Sequence, residues 1–342
     1  VKALVTGGAG FIGSHTVSEL LGHGHDVRVL TRRPQAEGPA LKPLGVSSVE
    51  VIQGDVTDPR AVEEALTGCN AVIHCAAVYS LDPRRDGEVR STNVLATKLV
   101  LGAAMRMGLD PIVHVSSVAA LIGERYGILS PASEPTHPPG AYFRSKADAD
   151  RAARALQERG APVVIIYPPA VWGPQDPGFG VSSRTLRSGL MGLWAVTPAG
   201  TIPSSDVRDV AKLHALVLEP GRGPRRYMTP THNVTMGQLA DTLRAITGRR
   251  LPSIQVPGSI LMPPLYALLA LQRVLGPPNL ANPATVYFLD RHHRVDDSAA
   301  RSEFGLEPLP FAQSIADSVR WLVEAGHVAP KWAGKLSGVE KE

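Results

Sequence analysis

Cysteine is nearly absent from this sequence: Cys69 and Cys75 alone, without Cys-x-x-Cys spacing, in 342 residues. That scarcity excludes a disulfide scaffold, and both sulfurs fall in or beside an apolar run, where reduced packing residues are expected. Long apolar runs are missing too. The most apolar stretch, "VPGSILMPPLYALLAL" from Val256 to Leu271, contains Pro257, Pro263 and Pro264 and is shorter than the roughly 20 residues of a membrane-spanning helix. It is expected to form a buried or lid helix beginning after the prolines, with peripheral membrane contact as the other reading. No block of one charge is present. The net charge of +4 comes from dispersed pairs such as Arg32/Arg33 and Arg225/Arg226, a pattern of solvated surface rather than a nucleic-acid partner. Histidines lack ligand spacing: His23 and His25 share a loop and His292 and His293 are adjacent, so no metal is expected. The sequence enters "KALVTG" at once, leaving no room for a leader, and a cytoplasmic setting is expected.

What is present is an alternation. "KALVTG", "DVRVLT", "VEVIQG", "AVIHCAA", "PIVHVSS" and "VVIIYPP" are separated by helical stretches. Nearly continuous apolar strands between helices predict an α/β fold, a Rossmann-type doubly wound parallel sheet buried on both faces. Beyond Pro168 the regularity breaks, and a smaller C-terminal α/β substrate-binding lobe is expected. The boundaries read as 1–168 for the dinucleotide-binding domain, with 204–223 returning to it. Residues 169–203 and 224–330 form the second lobe, and 331–342 a loose tail.

"TGGAGFIG" sets Gly7, Gly10 and Gly13 between a strand and a helix, where glycines allow a tight turn and close approach of a pyrophosphate to the helix N-terminus. One absence then becomes informative. The second strand ends in Thr31, Arg32 and Arg33, with no acidic residue to accept from a ribose 2′-hydroxyl and repel a 2′-phosphate. The arginines favour NADP. Asp55, in "GD" after the third strand, reads as close to the adenine. The small residues Ala76 and Ala77 read as the place where a cofactor passes near the backbone.

In "AYFRSK", Tyr142 and Lys146 are four apart and share a helix face, so the ammonium is expected to lower the phenol's pKa for proton transfer. Ser116 and Ser117 end the strand "VHVSS", where a hydroxyl can hold the same substrate oxygen. Together with "GDVTD", Asn93 in "STNVLATK", "PPAVWGP" and "DVRDVA", these motifs make the chain resemble an extended short-chain dehydrogenase/reductase, of the NAD-dependent epimerase/dehydratase family, over essentially its whole length. The resemblance implies Ser117, Tyr142 and Lys146 as catalytic residues, Lys146 also holding the nicotinamide ribose, and Asn93 ordering the site. It places Phe11, Ile12, Val56, Ala76, Ala77 and Pro168 along the cofactor and implies a homodimer through two helices of the first lobe. The family's usual Arg-Pro is Tyr167-Pro168 here, which leaves the role of residue 167 open. The Val-Tyr-Gly and Arg-Asp features of sugar-nucleotide epimerases are missing from their places. Arg184 and Arg187 fit either phosphate binding or a solvated helix face.

The apolar segments 189–196 and 256–271 suit an apolar ligand. They liken the chain to the dihydroflavonol reductase and 3β-hydroxysteroid dehydrogenase branch. The expected activity is therefore NADP-preferring interconversion of a hydroxyl and a carbonyl on an apolar small molecule. Its rivals are an NAD-retaining epimerase or dehydratase and a non-catalytic NADP sensor.

Overall fold

The computed structural model describes residues 1–80, 83–124, 126–275, 287–288 and 291–337. Strand β1 (Lys2–Thr6) is followed by helix α1 (Phe11–Gly22), β2 (Asp26–Thr31), α2 (Glu37–Leu41), β3 (Glu50–Gln53), α3 (Pro59–Leu66) and β4 (Ala71–His74). Next come α4 (Asp86–Arg106), β5 (Ile112–Val115), β6 (Tyr126–Leu129), α5 (Ala141–Glu158) and β7 (Val163–Tyr167). After them run β8 (Ala170–Trp172), α6 (Val181–Leu190), β9 (Val196–Pro198), β10 (Thr201–Asp206), α7 (Val207–Leu216) and β11 (Arg225–Met228). Seven of these strands form one parallel sheet in the order β11-β7-β5-β4-β1-β2-β3.

Alternation along each strand explains why both faces need helices. Leu4, Val72, Ile112 and Ile165 enter a core shared with Val62 of α3, Val100 of α4 and Ala153 of α5. Their neighbours Ala3, Val5, Ile73, Val113 and Ile166 enter a second core with Val17 and Leu20 of α1 and Leu213 of α7. The chain winds outward from β1 through β2 to β3 and then returns to place β4 on the other side of β1. A crevice follows at the carboxyl ends of β1 and β4, where strand order reverses.

Strands β8, β10 and β12 (His232–Thr235) make a three-stranded sheet. A third core gathers Trp172, Leu186, Leu190, Leu239, Leu243, Ile315, Val319 and Leu322. This core is fastened to α7 by its cap. Asp206 accepts from the Arg208 amide at 2.8 Å, and from the Ser314 hydroxyl, on the later helix Phe311–Glu324, at 2.5 Å. Arg208 in turn reaches Asp317 at 2.9 Å.

Three expectations need correction. Residues from 224 onward were assigned to the second lobe, yet β11 adds to the edge of the large sheet beside β7; a four-residue parallel strand carries no sequence mark of the sheet it joins. The helix Gly258–Leu275 does not wait for the prolines but contains Pro263 and Pro264. Its first turn begins on the Pro257 carbonyl, which accepts from the amides of Ile260 at 3.0 Å and Leu261 at 3.1 Å. Inside the helix the two prolines remove backbone donors and their rings crowd the preceding turn. The tail is not loose from its start: Pro330–Ala333 is helical, Ala333 is fully buried, and Arg249 lies over the Trp332 ring at 4.8 Å. Residues 338–342 lie outside the described residues. Among the described residues, no helix is long and apolar enough to cross a membrane.

Candidate active site

The turn from β1 into α1 is built by contacts that only glycine permits. Gly7 has φ +76°, and a Cβ there would stand 2.9 Å from the backbone of Ala76, so the chain at Cys75 and Ala76, just after β4, passes directly beside it, with Ala77 following. A Cβ on Gly13 would lie 2.1 Å from the Gly7 carbonyl oxygen. Gly10 caps α1 with extended backbone and no side-chain hydrogen bond, which leaves the helix's first amides without a side-chain cap. The side chains of Phe11 and Ile12 pack on Val171, Val207 and Val210, so these two residues offer the crevice their backbone.

At the end of β2, Arg32 and Arg33 are exposed. Arg32 pairs at 3.8 Å with Asp55, and both partners are solvated, so the pair is weak and exchangeable. Asp55 also accepts from the amide and the hydroxyl of Thr57, at 2.9 and 2.7 Å. Burial pushes its carboxyl up, and the Thr57 hydrogen bonds with the Arg32 charge outweigh it, leaving the group below its ordinary value. Val56 packs half-buried against the core.

Beyond the carboxyl end of β5, Ser117 donates to the Pro168 carbonyl at 3.3 Å and accepts from the Ala119 amide at 3.1 Å. Tyr142 stands in the first turn of α5, where the Ser117 side chain acts on its phenol. One turn on, the buried Lys146 ammonium donates to the Val115 carbonyl at 3.1 Å, and burial brings its pKa down to about 8. Ser117, Tyr142 and Lys146 therefore converge as the sequence places them. The expected effect on the tyrosine is not seen: burial first, then Tyr79, push the Tyr142 phenol well up, and only the Ser117 side chain opposes them. Lys146 spends its contact on a backbone carbonyl instead.

Asn93, inside α4, is buried and fully engaged. Its carboxamide oxygen accepts from the Val78 amide at 2.7 Å, while its nitrogen donates to the Val78 carbonyl and to the Ser145 hydroxyl, each at 3.0 Å. That clamp fixes the segment after β4 and with it Tyr79, a residue the sequence reading missed. The Tyr79 ring, half-exposed, stands edge-on to Tyr142 with centroids 4.4 Å apart. Tyr142, Phe143 and Phe288 continue the row of rings at 5.7 and 5.8 Å. Arg184 and Arg187 both lie over the Phe179 ring, at 5.9 and 5.8 Å.

Two further groups escaped the sequence reading. His74 and His114 occupy paired positions of β4 and β5 and stack at 6.0 Å below Lys146. Burial drives His74 down to about 3 and His114 well below its ordinary value, so both are neutral. Tyr167, whose place in the motif was open, is fully buried; its hydroxyl accepts from Arg154 at 2.9 Å and donates to Asp150 at 3.4 Å. The four-residue spacing from Tyr142 through Lys146 to Asp150 and Arg154 was the available signal.

Comparison with known proteins agrees with this geometry. Residues 3–228 match the NAD dependent epimerase/dehydratase family. The chain is 30% identical to sterol demethylase protein B of Methylococcus capsulatus, over 96% of this chain and 100% of that one. It is 32% identical to a putative dihydroflavonol 4-reductase of Synechocystis, over 95% of each. It is 26% identical to a 3 beta-hydroxysteroid dehydrogenase/Delta 5-->4-isomerase of Mycobacterium tuberculosis, over 90% of this chain and 86% of that one. Among solved structures, gox2253 superposes with TM-score 0.81 at 26% identity, covering 95% of this chain and 99% of that one. The Bifidobacterium longum UDP-glucose 4-epimerase in complex with NAD+ and UDP has TM-score 0.75 at 19% identity, covers 95% and 99% of the two chains, and shares the fold.

The chain belongs to the NAD dependent epimerase/dehydratase family. It is an enzyme of that family, an NAD(P)-dependent oxidoreductase.

Proposed function

We propose that this protein is an NADP-preferring oxidoreductase that interconverts a hydroxyl and a carbonyl on a mostly apolar small molecule. The observation that carries the reading is the placement of Ser117 at the end of β5 with Tyr142 and Lys146 a turn apart on α5, Lys146 donating to the Val115 carbonyl two residues before Ser117, beside the glycine turn. Gly7, Gly10 and Gly13 let the pyrophosphate rest against the backbone and the α1 amides, with Phe11, Ile12, Ala76 and Ala77 lining its path. Arg32 and Arg33 take the 2′-phosphate, Arg32 exchanging the solvated Asp55 for a dianion; Asp55 and Val56 border the adenine. The nicotinamide supplies the hydride chemistry when bound.

Ser117 and Tyr142 hydrogen-bond the reacting oxygen, and Tyr142 gives or takes its proton. Lys146 holds the ribose, its charge favouring the phenolate once the phenol ionises. Pro168 fixes the Ser117 hydroxyl through its carbonyl, and Asn93 orders the loop that carries Tyr79. The aromatic row from Tyr79 to Phe288 offers an apolar wall, and the relatives named for sterols and flavonols support that substrate class.

Two measurements test this. Denaturing the purified protein should release little nucleotide, or substoichiometric NADP; near-stoichiometric NAD would instead establish an epimerase-type cycle with a retained cofactor. Tyr142→Phe should lose at least a hundredfold in turnover while NADPH binding, followed by its fluorescence, stays within about twofold. Loss of both together would mean that Tyr142 is misassigned.

A further inference from the structure

Exposed apolar side chains are concentrated in two stretches of the second lobe. Leu193, Ile254 and Ile260 stand 68, 67 and 65% exposed, and Met191, Val196 and Leu271 are exposed as well. Parallel pairing of β9 with β13 (Ile254–Val256) joins the two stretches and sets Val196 beside Ile254. Helix Gly258–Leu275 follows directly after Pro257. Beyond Ser259, the exposed residues described on it are Ile260, Pro263, Pro264, Ala267 and Leu271. Their intervals of three and four place them on one side, so the helix turns an apolar face to solvent. Apolar side chains scattered singly over a surface need no explanation, but a continuous face does.

The charge of these stretches has one sign. None of the 31 aspartates and glutamates falls in 177–205 or 242–289, and every charged residue there is an arginine. Arg184 and Arg187 are exposed on α6, with Met191 one turn beyond Arg187. Both lie over the Phe179 ring, and Arg184 gives its Nε to the Phe179 carbonyl at 2.8 Å. Arg250 is exposed and lines a shallow depression together with Arg244 and Ile254. Arg244 is already paired with Asp241. Among the described residues, Arg184, Arg187 and Arg250 have no carboxylate partner.

An apolar face rimmed by arginines and free of acids fits a partner that is apolar within and anionic at its surface. A second copy of the chain fits poorly, because a symmetric contact would set the same arginines against one another. We propose that β9, β13 and the helix Gly258–Leu275 form a surface that docks onto an anionic lipid bilayer. Its apolar side chains enter the headgroup region, and Arg187 and Arg250 meet the lipid phosphates. The helix does not qualify as a span, so it lies along the bilayer. The acid-free stretch 242–289 also includes Phe288, at the far end of the aromatic row beside Tyr142, so the docking face and the wall of the site belong to one segment. A bilayer is where a mostly apolar substrate resides, but the docking does not depend on the reaction proposed above.

Flotation of the full chain with vesicles tests this, using phosphatidylcholine alone and phosphatidylcholine mixed with phosphatidylglycerol. The protein should bind the mixed vesicles about tenfold more tightly or better, and added salt should weaken that binding. Ile254→Asp/Ile260→Asp changes two exposed positions, so it should keep the wild-type melting temperature while losing about tenfold or more in affinity for the mixed vesicles. Arg187→Gln/Arg250→Gln should lose most of the preference for the mixed vesicles over phosphatidylcholine. No binding to the mixed vesicles, or binding that Ile254→Asp/Ile260→Asp leaves unchanged, would overturn the proposal. A dimer in sedimentation velocity that this same double variant dissociates, with vesicles left unbound, would overturn it in favour of an interface between copies.

Discussion

Among single residues, the role proposed for Arg32 asks the least of the fold. It is 64% exposed and its contact with Asp55, at 3.8 Å, gives the fold little stability. Replacing it should therefore leave the protein as stable as before and change only what it binds. Arg32→Ala is expected to weaken NADPH at least tenfold while NADH changes by less than threefold. Isothermal titration of both nucleotides checks this, and equal losses for both would remove Arg32 from the 2′-phosphate. The places of Gly7, Gly13, Ser117, Tyr142 and Lys146 in their elements were legible from the sequence because each motif carries its own spacing. Tyr79 was not legible. Its place against Tyr142 depends on the Asn93 clamp on Val78, a contact between a loop and a distant helix that no local pattern records.

At the scale of elements, the packing of α1 onto the turn that precedes it is the tightest constraint near the crevice. With the Gly13 Cβ position 2.1 Å from the Gly7 oxygen, Gly13→Ala must push α1 away from β1. About 1–3 kcal/mol of stability should be lost, along with most of the nucleotide affinity; urea unfolding and NADPH titration measure the two. Unchanged nucleotide binding would show that α1 can retreat without disturbing the crevice. The major strands and helices could be read in advance because alternating burial and the glycine turns belong to each segment alone. What could not be read is membership. Arg225–Met228 looks like any short strand until its pairing with β7 is known, and Pro263 and Pro264 look like a helix boundary until the helix is seen to begin on Pro257. The loose reading of residues from 331 failed likewise, since Ala333 and Trp332 are held by partners far back in the chain.

For the whole molecule, the buried histidines set a limit on acid tolerance. His74 and His214 are each held down to about 3 by burial, and His114 also lies well below its ordinary value. The unfolded chain takes up protons at these sites below about pH 6.5, whereas the folded chain does not until much lower. Stability is therefore full above pH 6.5 and falls as the pH drops toward 3, by about 1.4 kcal/mol per pH unit for each such histidine. His214→Gln, which removes one titrating ring beside Thr16, should flatten the decline between pH 6 and pH 5 in urea unfolding. An unaltered slope would mean that other groups govern acid unfolding.

The fastening of Asp206 and Arg208 to Ser314 and Asp317 also gives the molecule an order of assembly. Synthesis runs from the amino end, and the seven-stranded sheet has all its strands once Met228 has emerged. The cap of α7 must then wait for more than eighty further residues before Ser314 arrives to share it. On the ribosome, every strand of the sheet that carries the glycine turn is made before the partners of Asp206 and Arg208, while Val295 and Ala300, which complete its two cores, come between.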